Sequence, residues 1–115
     1  MHTDAARFVT CDLSGADLTA SVHDGTAFTN CRFERARLST ARFVGCKLTG
    51  SDLHGATLMG TQVVGGDWSY VNLRGTSLAG ATLDGVALHE ADLRGVHLDL
   101  TGAVQVARCL GATVD

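Results

Sequence analysis

Residues 46–60 read Cys46-Lys47-Leu48-Thr49-Gly50-Ser51-Asp52-Leu53-His54-Gly55-Ala56-Thr57-Leu58-Met59-Gly60. One motif is written there three times: a small residue, a polar one, leucine, a variable residue, glycine. Followed outward in steps of five, the leucine phase runs from Phe8 to Leu98 and is large and apolar at eighteen of nineteen positions, His23 being the exception. Phe8, Phe28, Phe33, Phe43 and Trp68 all fall in this phase, which leaves Tyr70 as the one aromatic residue outside it. Two residues earlier, the phase from Ala6 to Thr101 holds only small or β-branched residues. Two residues later, one phase collects eleven of the fourteen glycines.

A large and a small apolar residue two apart lie on one face of a short extended segment. Glycine at a fixed phase marks a corner of unusual backbone dihedrals. A period of five fits neither a 3.6-residue helix nor a long strand that alternates every two residues. It requires about three extended residues, then a turn, and the sum of such units is a coil that stacks on itself. The low aromatic content, 5%, and the absence of proline suit a repetitive backbone with a narrow interior. A hexapeptide left-handed helix would make the phase drift by one residue per repeat, and no drift occurs.

The units Ala16-Asp17-Leu18-Thr19-Ala20, Ser51-Asp52-Leu53-His54-Gly55 and Ala91-Asp92-Leu93-Arg94-Gly95 resemble the A-D-L-x-G pattern of the pentapeptide-repeat family, over about residues 5 to 102. The resemblance implies an all-β solenoid: a right-handed quadrilateral parallel β-helix of about five coils, in which four pentapeptides make one square turn and residues i and i+20 stack. It also implies a C-terminal segment that mediates homodimers. For some members it implies DNA mimicry: binding to DNA gyrase or topoisomerase IV, with fluoroquinolone resistance or toxin immunity.

Stacking at i+20 yields outward columns such as Asp12, Arg32, Asp52, Asn72, Asp92; Asp17, Arg37, Thr57, Ser77, His97; and Arg7, Ala27, Lys47, Asp67, Ala87. Rungs about 4.8 Å apart would set opposite charges over one another, mildly favourably. The columns therefore predict solvated salt ladders. They also disperse the basic cluster Arg32, Arg35, Arg37, Arg42 and Lys47, which reads as rungs of those ladders rather than a nucleic-acid patch. Arg74 and Arg94 fall together in another column, a like-charge conflict.

His23 stands at an inward phase. Either it is buried and hydrogen-bonded, or the face bulges and Val22 turns inward. The remaining histidines, His2, His54, His89 and His97, lie on other columns and do not converge with it on a metal. Cys11 and Cys31 should stack. With no C-x-x-C pair and no secretory signal, they, Cys46 and Cys109 read as reduced thiols, the inward ones filling the core. Tyr70 replaces a corner glycine and should be exposed, the best single candidate for a partner contact. After Thr101 the repeat ends. Ala103, Val106, Ala107 and Leu110 have helical spacing and Gly111 sits where a helix C-cap would, so a short helix is expected to cap the last coil. The division expected is a β-helix over 1–102 and a cap with short helix and tail over 103–115. No comparable cap is evident in residues 1–5.

The net charge of −3 does not suggest direct nucleic-acid binding, and no apolar run reaches a membrane span. No nucleophile–base constellation, phosphate loop or metal spacing is present, so neither catalysis nor a cofactor or metal is expected. The sequence points to a cytoplasmic, bacterial, protein-binding or scaffold module of unknown partner, with the DNA-mimicking gyrase modulator as the alternative.

Overall fold

The computed structural model describes residues 1–113. Seven three-residue strands appear: β1 (His2–Asp4), β2 (Arg7–Val9), β3 (Val22–Asp24), β4 (Ala27–Thr29), β5 (Arg42–Val44), β6 (Gln62–Val64) and β7 (Thr82–Asp84), followed by helix α1 (Leu100–Cys109). The strands β1-β3-β5-β6-β7 form one parallel sheet and β2-β4 another. Thr3 pairs with His23, His23 with Phe43, Phe43 with Val63 and Val63 with Leu83, so the chain crosses that face five times at intervals of twenty residues. The outer columns keep the same step: Asp12–Arg32–Asp52–Asn72–Asp92 and Asp17–Arg37–Thr57–Ser77–His97 are continuous runs of parallel bridges. The chain is a parallel β-solenoid with four sides.

The corners explain why the motif has five residues. Every fifth position from 5 to 95 has positive φ, eleven of them glycine and eight not. At the corners after Leu13, Leu53 and Leu73, among others, the N–H three residues on returns to the leucine carbonyl at 2.9–3.1 Å. That is a tight turn whose third residue must be left-handed. Between corners, alternate side chains point inward. The interior is four columns of large residues, with the small phase between them: Cys31, Ala36, Ala41, Cys46, Ser51 and Val71 are all buried. Phe8 stacks on Phe28 at 5.0 Å, and Phe43 meets Trp68 edge-on at 5.5 Å.

Three details go beyond the sequence reading. Residues 2–4 form a full rung ahead of the apolar phase that begins at Phe8, with Thr3 at the inward position although it is polar. His23 is buried and hydrogen-bonded while Val22 stays exposed, so the face does not bulge. And α1 opens at Leu100, three residues before the spacing of its apolar residues suggested, because Asp99 caps it by accepting from Gly102 N–H at 2.7 Å. Residues 114 and 115 of the expected tail lie outside the described residues.

The polar members of the small phase are satisfied from within the wall. Ser51 donates to the Phe28 carbonyl at 2.7 Å, and the Cys31 and Cys46 thiols donate to the Phe8 and His23 carbonyls at 3.3 Å. All four cysteines are free thiols, and burial pushes the Cys31 and Cys46 thiols up from their ordinary range. In the large phase, the buried Nε1 of Trp68 lacks a hydrogen-bond partner among the described residues.

Gly66 carries a constraint of its own. It stands at an inward small position with φ of +92°, and an added Cβ would overlap the Cys46 carbonyl oxygen. Gly80, by contrast, has φ of +71° with its nearest neighbour, Gly60, at 3.8 Å. Gly66→Ala should therefore destabilise by about 3 kcal/mol, combining left-handed strain and overpacking, whereas Gly80→Ala should cost only about 1 kcal/mol. Urea denaturation of both variants checks this; equal losses would show that the clash at Gly66 is relieved at no cost.

Candidate interaction surface

The interior is filled, so any function falls to the outside of the square and to its C-terminal end. The end is built by α1. Asp99 holds its N-terminus and, through the other carboxylate oxygen, also accepts from Gly80 N–H at 2.9 Å. These two bonds hold the Asp99 carboxyl below the usual carboxylate range. Gln105 Oε1 accepts from Leu83 N–H at 3.0 Å, and Gly102 and Val106 are the buried residues of the helix. The helix thus serves two donors of the last coil that no further coil satisfies. Gly111, with φ of +91°, ends it, with Ala112 N–H returning to the Ala107 carbonyl at 2.9 Å.

The other side of the helix is uncovered. Leu100 is 85% exposed and Leu110 54%, with Ala103 exposed and Val104 and Ala107 half-buried between them. Apolar residues exposed together on one short element make this end a candidate contact surface. Beside the helix a cleft of about 470 Å³ is lined by Asp84, Arg108 and Cys109, among others, but by no histidine, so no thiol–imidazole pair forms there. Among the described residues, no group of His, Cys, Asp and Glu comes together to hold a metal ion. No helix among them is long and apolar enough to cross a membrane.

On the sides, the structure corrects the salt ladders. Asp12 and Arg32 are neighbours in a bridge, as are Asp17 and Arg37 and Lys47 and Asp67, yet none of these pairs forms an ion pair. The carboxylates turn instead to the nearest donor in their own corner. Asp12 accepts from Ser14 N–H, Asp17 from Thr19, Asp52 from His54 and Asp67 from Ser69, all between 2.9 and 3.1 Å. These are Asx turns, a local bond that costs little side-chain entropy compared with holding a long arginine in place. Side-chain and backbone hydrogen bonds from Ser14, Thr19 and Ser69 accordingly hold the carboxyls of Asp12, Asp17 and Asp67 low, and the cation on the next rung adds a smaller pull.

The arginine conflict resolves in the same region. Arg94 grips Asp92 with Nε at 3.0 Å and Nη2 at 2.7 Å, while Arg74 Nε lies 3.9 Å from the same carboxylate. Asp92 sits between the two cations, and the Arg94 hydrogen bond first among its partners lowers its pKa to about 2.

Arg32, Arg37, Arg42 and Lys47 belong to four different bridge columns, so the basic cluster is a girdle around one coil and not a patch on one side. Tyr70 is exposed, as its place at a corner implied, and stands edge-on to His89 at 5.5 Å.

Comparison with known proteins places this architecture. A profile of pentapeptide repeats matches eight copies across residues 11–50, 28–62 and 58–95. The pentapeptide repeat protein MfpA of Mycobacterium tuberculosis is 53% identical over 38 residues, 33% of this chain but only 21% of that protein. The crystal structure of HetL, a pentapeptide repeat protein involved in heterocyst differentiation regulation in a Nostoc cyanobacterium, superposes with a TM-score of 0.63 at 26% identity, covering 84% of this chain and 46% of HetL. QnrB1, a plasmid-mediated fluoroquinolone resistance protein, superposes with a TM-score of 0.52 at 20% identity over 96% of this chain and 90% of QnrB1. The aligned segment is thus about a fifth of the MfpA relative's length.

Asp99 joins the last coil to the helix through two backbone donors. Asp99→Ala should loosen α1 selectively: amide exchange in residues 100–109 should quicken while exchange around Phe43 and Val63 holds. Uniform acceleration across the coils would show instead that the helix is integral to the whole stack.

Proposed function

We propose a non-catalytic protein-binding or scaffold role for this chain, which belongs to the pentapeptide-repeat family. The observation that carries this reading is the contrast between a filled interior and a C-terminal helix with bare leucines. Leu100, the first residue of the helix, and Leu110, its C-cap, are both exposed, while Gly102 and Val106 of the same element seal the solenoid. Such a face binds protein, and a second copy of the chain is the first partner proposed for it. The other partners would meet the flat sides, where bridged columns display polar groups about 4.8 Å apart. The compartment proposed is the cytoplasm of a bacterium, consistent with four free thiols and a mycobacterial relative.

The second reading, a DNA-mimicking modulator of gyrase or topoisomerase IV, rests on the family resemblance and on dimensions. The molecule measures 39 × 23 × 23 Å, close to a short duplex in width. Charge speaks against it. Duplex of that length carries about 23 phosphate charges, whereas this chain has a net −3 with a basic girdle.

Two measurements test these readings. Light scattering should give a dimer for the wild type and a monomer for Leu100→Glu/Leu110→Glu; a monomeric wild type would remove the homodimer. In a gyrase supercoiling assay with and without a fluoroquinolone, no effect is expected. Inhibition or protection at micromolar protein would favour the topoisomerase reading over an interaction module of other partners.

A further inference from the structure

His23 is the one titratable ring inside the solenoid, and its surroundings suit only its neutral form. It has no exposed surface. Nδ1 lies 2.6 Å from Thr3 Oγ1 and Nε2 lies 2.9 Å from Ser21 Oγ. Thr3 Oγ1 in turn lies 2.7 Å from Thr26 Oγ1, so three hydroxyls and one imidazole close a polar cluster within an apolar wall. The ring stacks on Phe43 at 5.0 Å and meets Phe28 edge-on at 5.2 Å.

The charged groups around it all lie outside the wall. From β1 these are His2, Asp4 and the amino terminus; from β3, Asp24; from β5, Arg42, each with an exposed side chain. Cys46, the remaining titratable neighbour, gives its thiol to the His23 carbonyl. No carboxylate faces the ring. A neutral imidazole is fully satisfied by hydroxyls, which donate or accept as needed. An imidazolium would be a buried cation with no counter-charge.

The way out for that charge is through β1. Phe43 closes the ring from the coil above. On the other side Thr3 covers it, on a three-residue strand joined to β3. The neighbouring bonds of that strand are Val22 N–H to the Met1 carbonyl at 3.0 Å and Ala5 N–H to the Asp24 carbonyl at 2.8 Å. We propose that His23 is an acid-sensitive latch on the first coil: proton uptake by its ring releases β1 and exposes the Thr3–His23–Thr26 cluster to water, while the coils above stay closed.

The direction follows from linkage. Burial lowers the His23 pKa from 6.5 to about 4. The released state therefore binds the proton more tightly than the closed one. Closure is fully favoured above pH 6.5, weakens as pH falls from 6.5 toward 4, and changes no further below that. Over that window the closed-to-open ratio should fall by up to roughly three-hundred-fold.

Hydrogen exchange read by mass spectrometry at pH 7.0 and 5.0, corrected for intrinsic rates, tests the latch. Peptides covering residues 1–9 and 21–26 should lose protection at pH 5.0, while those spanning 43–88 keep theirs. His23→Phe, which restores the apolar residue of the repeat, should abolish the difference. Equal loss across all coils, or the same loss in His23→Phe, would overturn the proposal. Should that variant fail to fold, an NMR titration of the His23 ring in the wild type decides. A midpoint near 4 to 5 that coincides with loss of the β1 signals supports the latch, and titration with β1 unchanged overturns it.

Discussion

Everything in this molecule depends on a left-handed residue at every fifth position. Positive φ there turns the chain through a corner after three extended residues, and repetition of that turn makes each coil close above the last. Once the corners are fixed, the twenty-residue register follows, and with it the parallel backbone ladder and the four inward columns. Glycine is the cheap occupant, and eleven of the nineteen corners use it. The other eight accept strain of about 1–2 kcal/mol each. Arg35, Tyr70 and Glu90 are among them, all carrying side chains that project where two sides meet. A corner is the most prominent place on such a surface, so the residues that strain the backbone are also among the most exposed.

How much of this was legible in the sequence differs by element, for physical reasons. The large and small phases and the i+20 columns could be read because sterics enforce them at every repeat. Thr3 escaped because its role is set by hydrogen bonds to His23 and Thr26, and a hydroxyl has no hydrophobic signature. For His23 the two alternatives could be weighed but not decided, since the choice depends on those same partners. The salt ladders failed on a point of competition. Column adjacency brings Asp12 and Arg32 to neighbouring rungs, yet the Ser14 N–H lies nearer in the chain and requires no ordering of a long side chain. Aspartate before the leucine of each unit is a turn residue first and a charge second.

The C-terminal boundary was blurred for a related reason. Asp99 lies at a repeat position and looks like one more outward polar residue. Its carboxylate instead ends the repeat, one oxygen bonded to the last coil and the other to the helix. The helix then faces two ways. Its buried side supplies Gln105 to a strand donor that a further coil would otherwise serve. Its ends leave Leu100 and the C-cap Leu110 exposed. Capping and exposed apolar surface are thus combined in one short element; the cap could be read from the helical spacing after Thr101, whereas the Asp99 junction could not.

Charge is distributed along the axis rather than between sides. The first coil holds Asp4, Asp12 and Asp17 against Arg7 alone, and the last holds Asp84, Glu90, Asp92 and Asp99 against Arg94. Between them, the coil from Arg32 to Lys47 carries a cation on each of four columns. A duplex presents one sign over its whole length. A protein surface evolved to grip a duplex would therefore meet repulsion at the waist of this solenoid, whichever side it approached. A partner of this chain must instead tolerate alternation of sign within 39 Å, or dock where charge is absent. The uncovered side of α1 meets the second condition from Leu100 through Ala107, with Arg108 at its far edge. Desolvating leucine there costs none of the hydration energy that burial of the girdle would. The electrostatics of the sides and the bare leucines of the end thus favour the same place for a first contact.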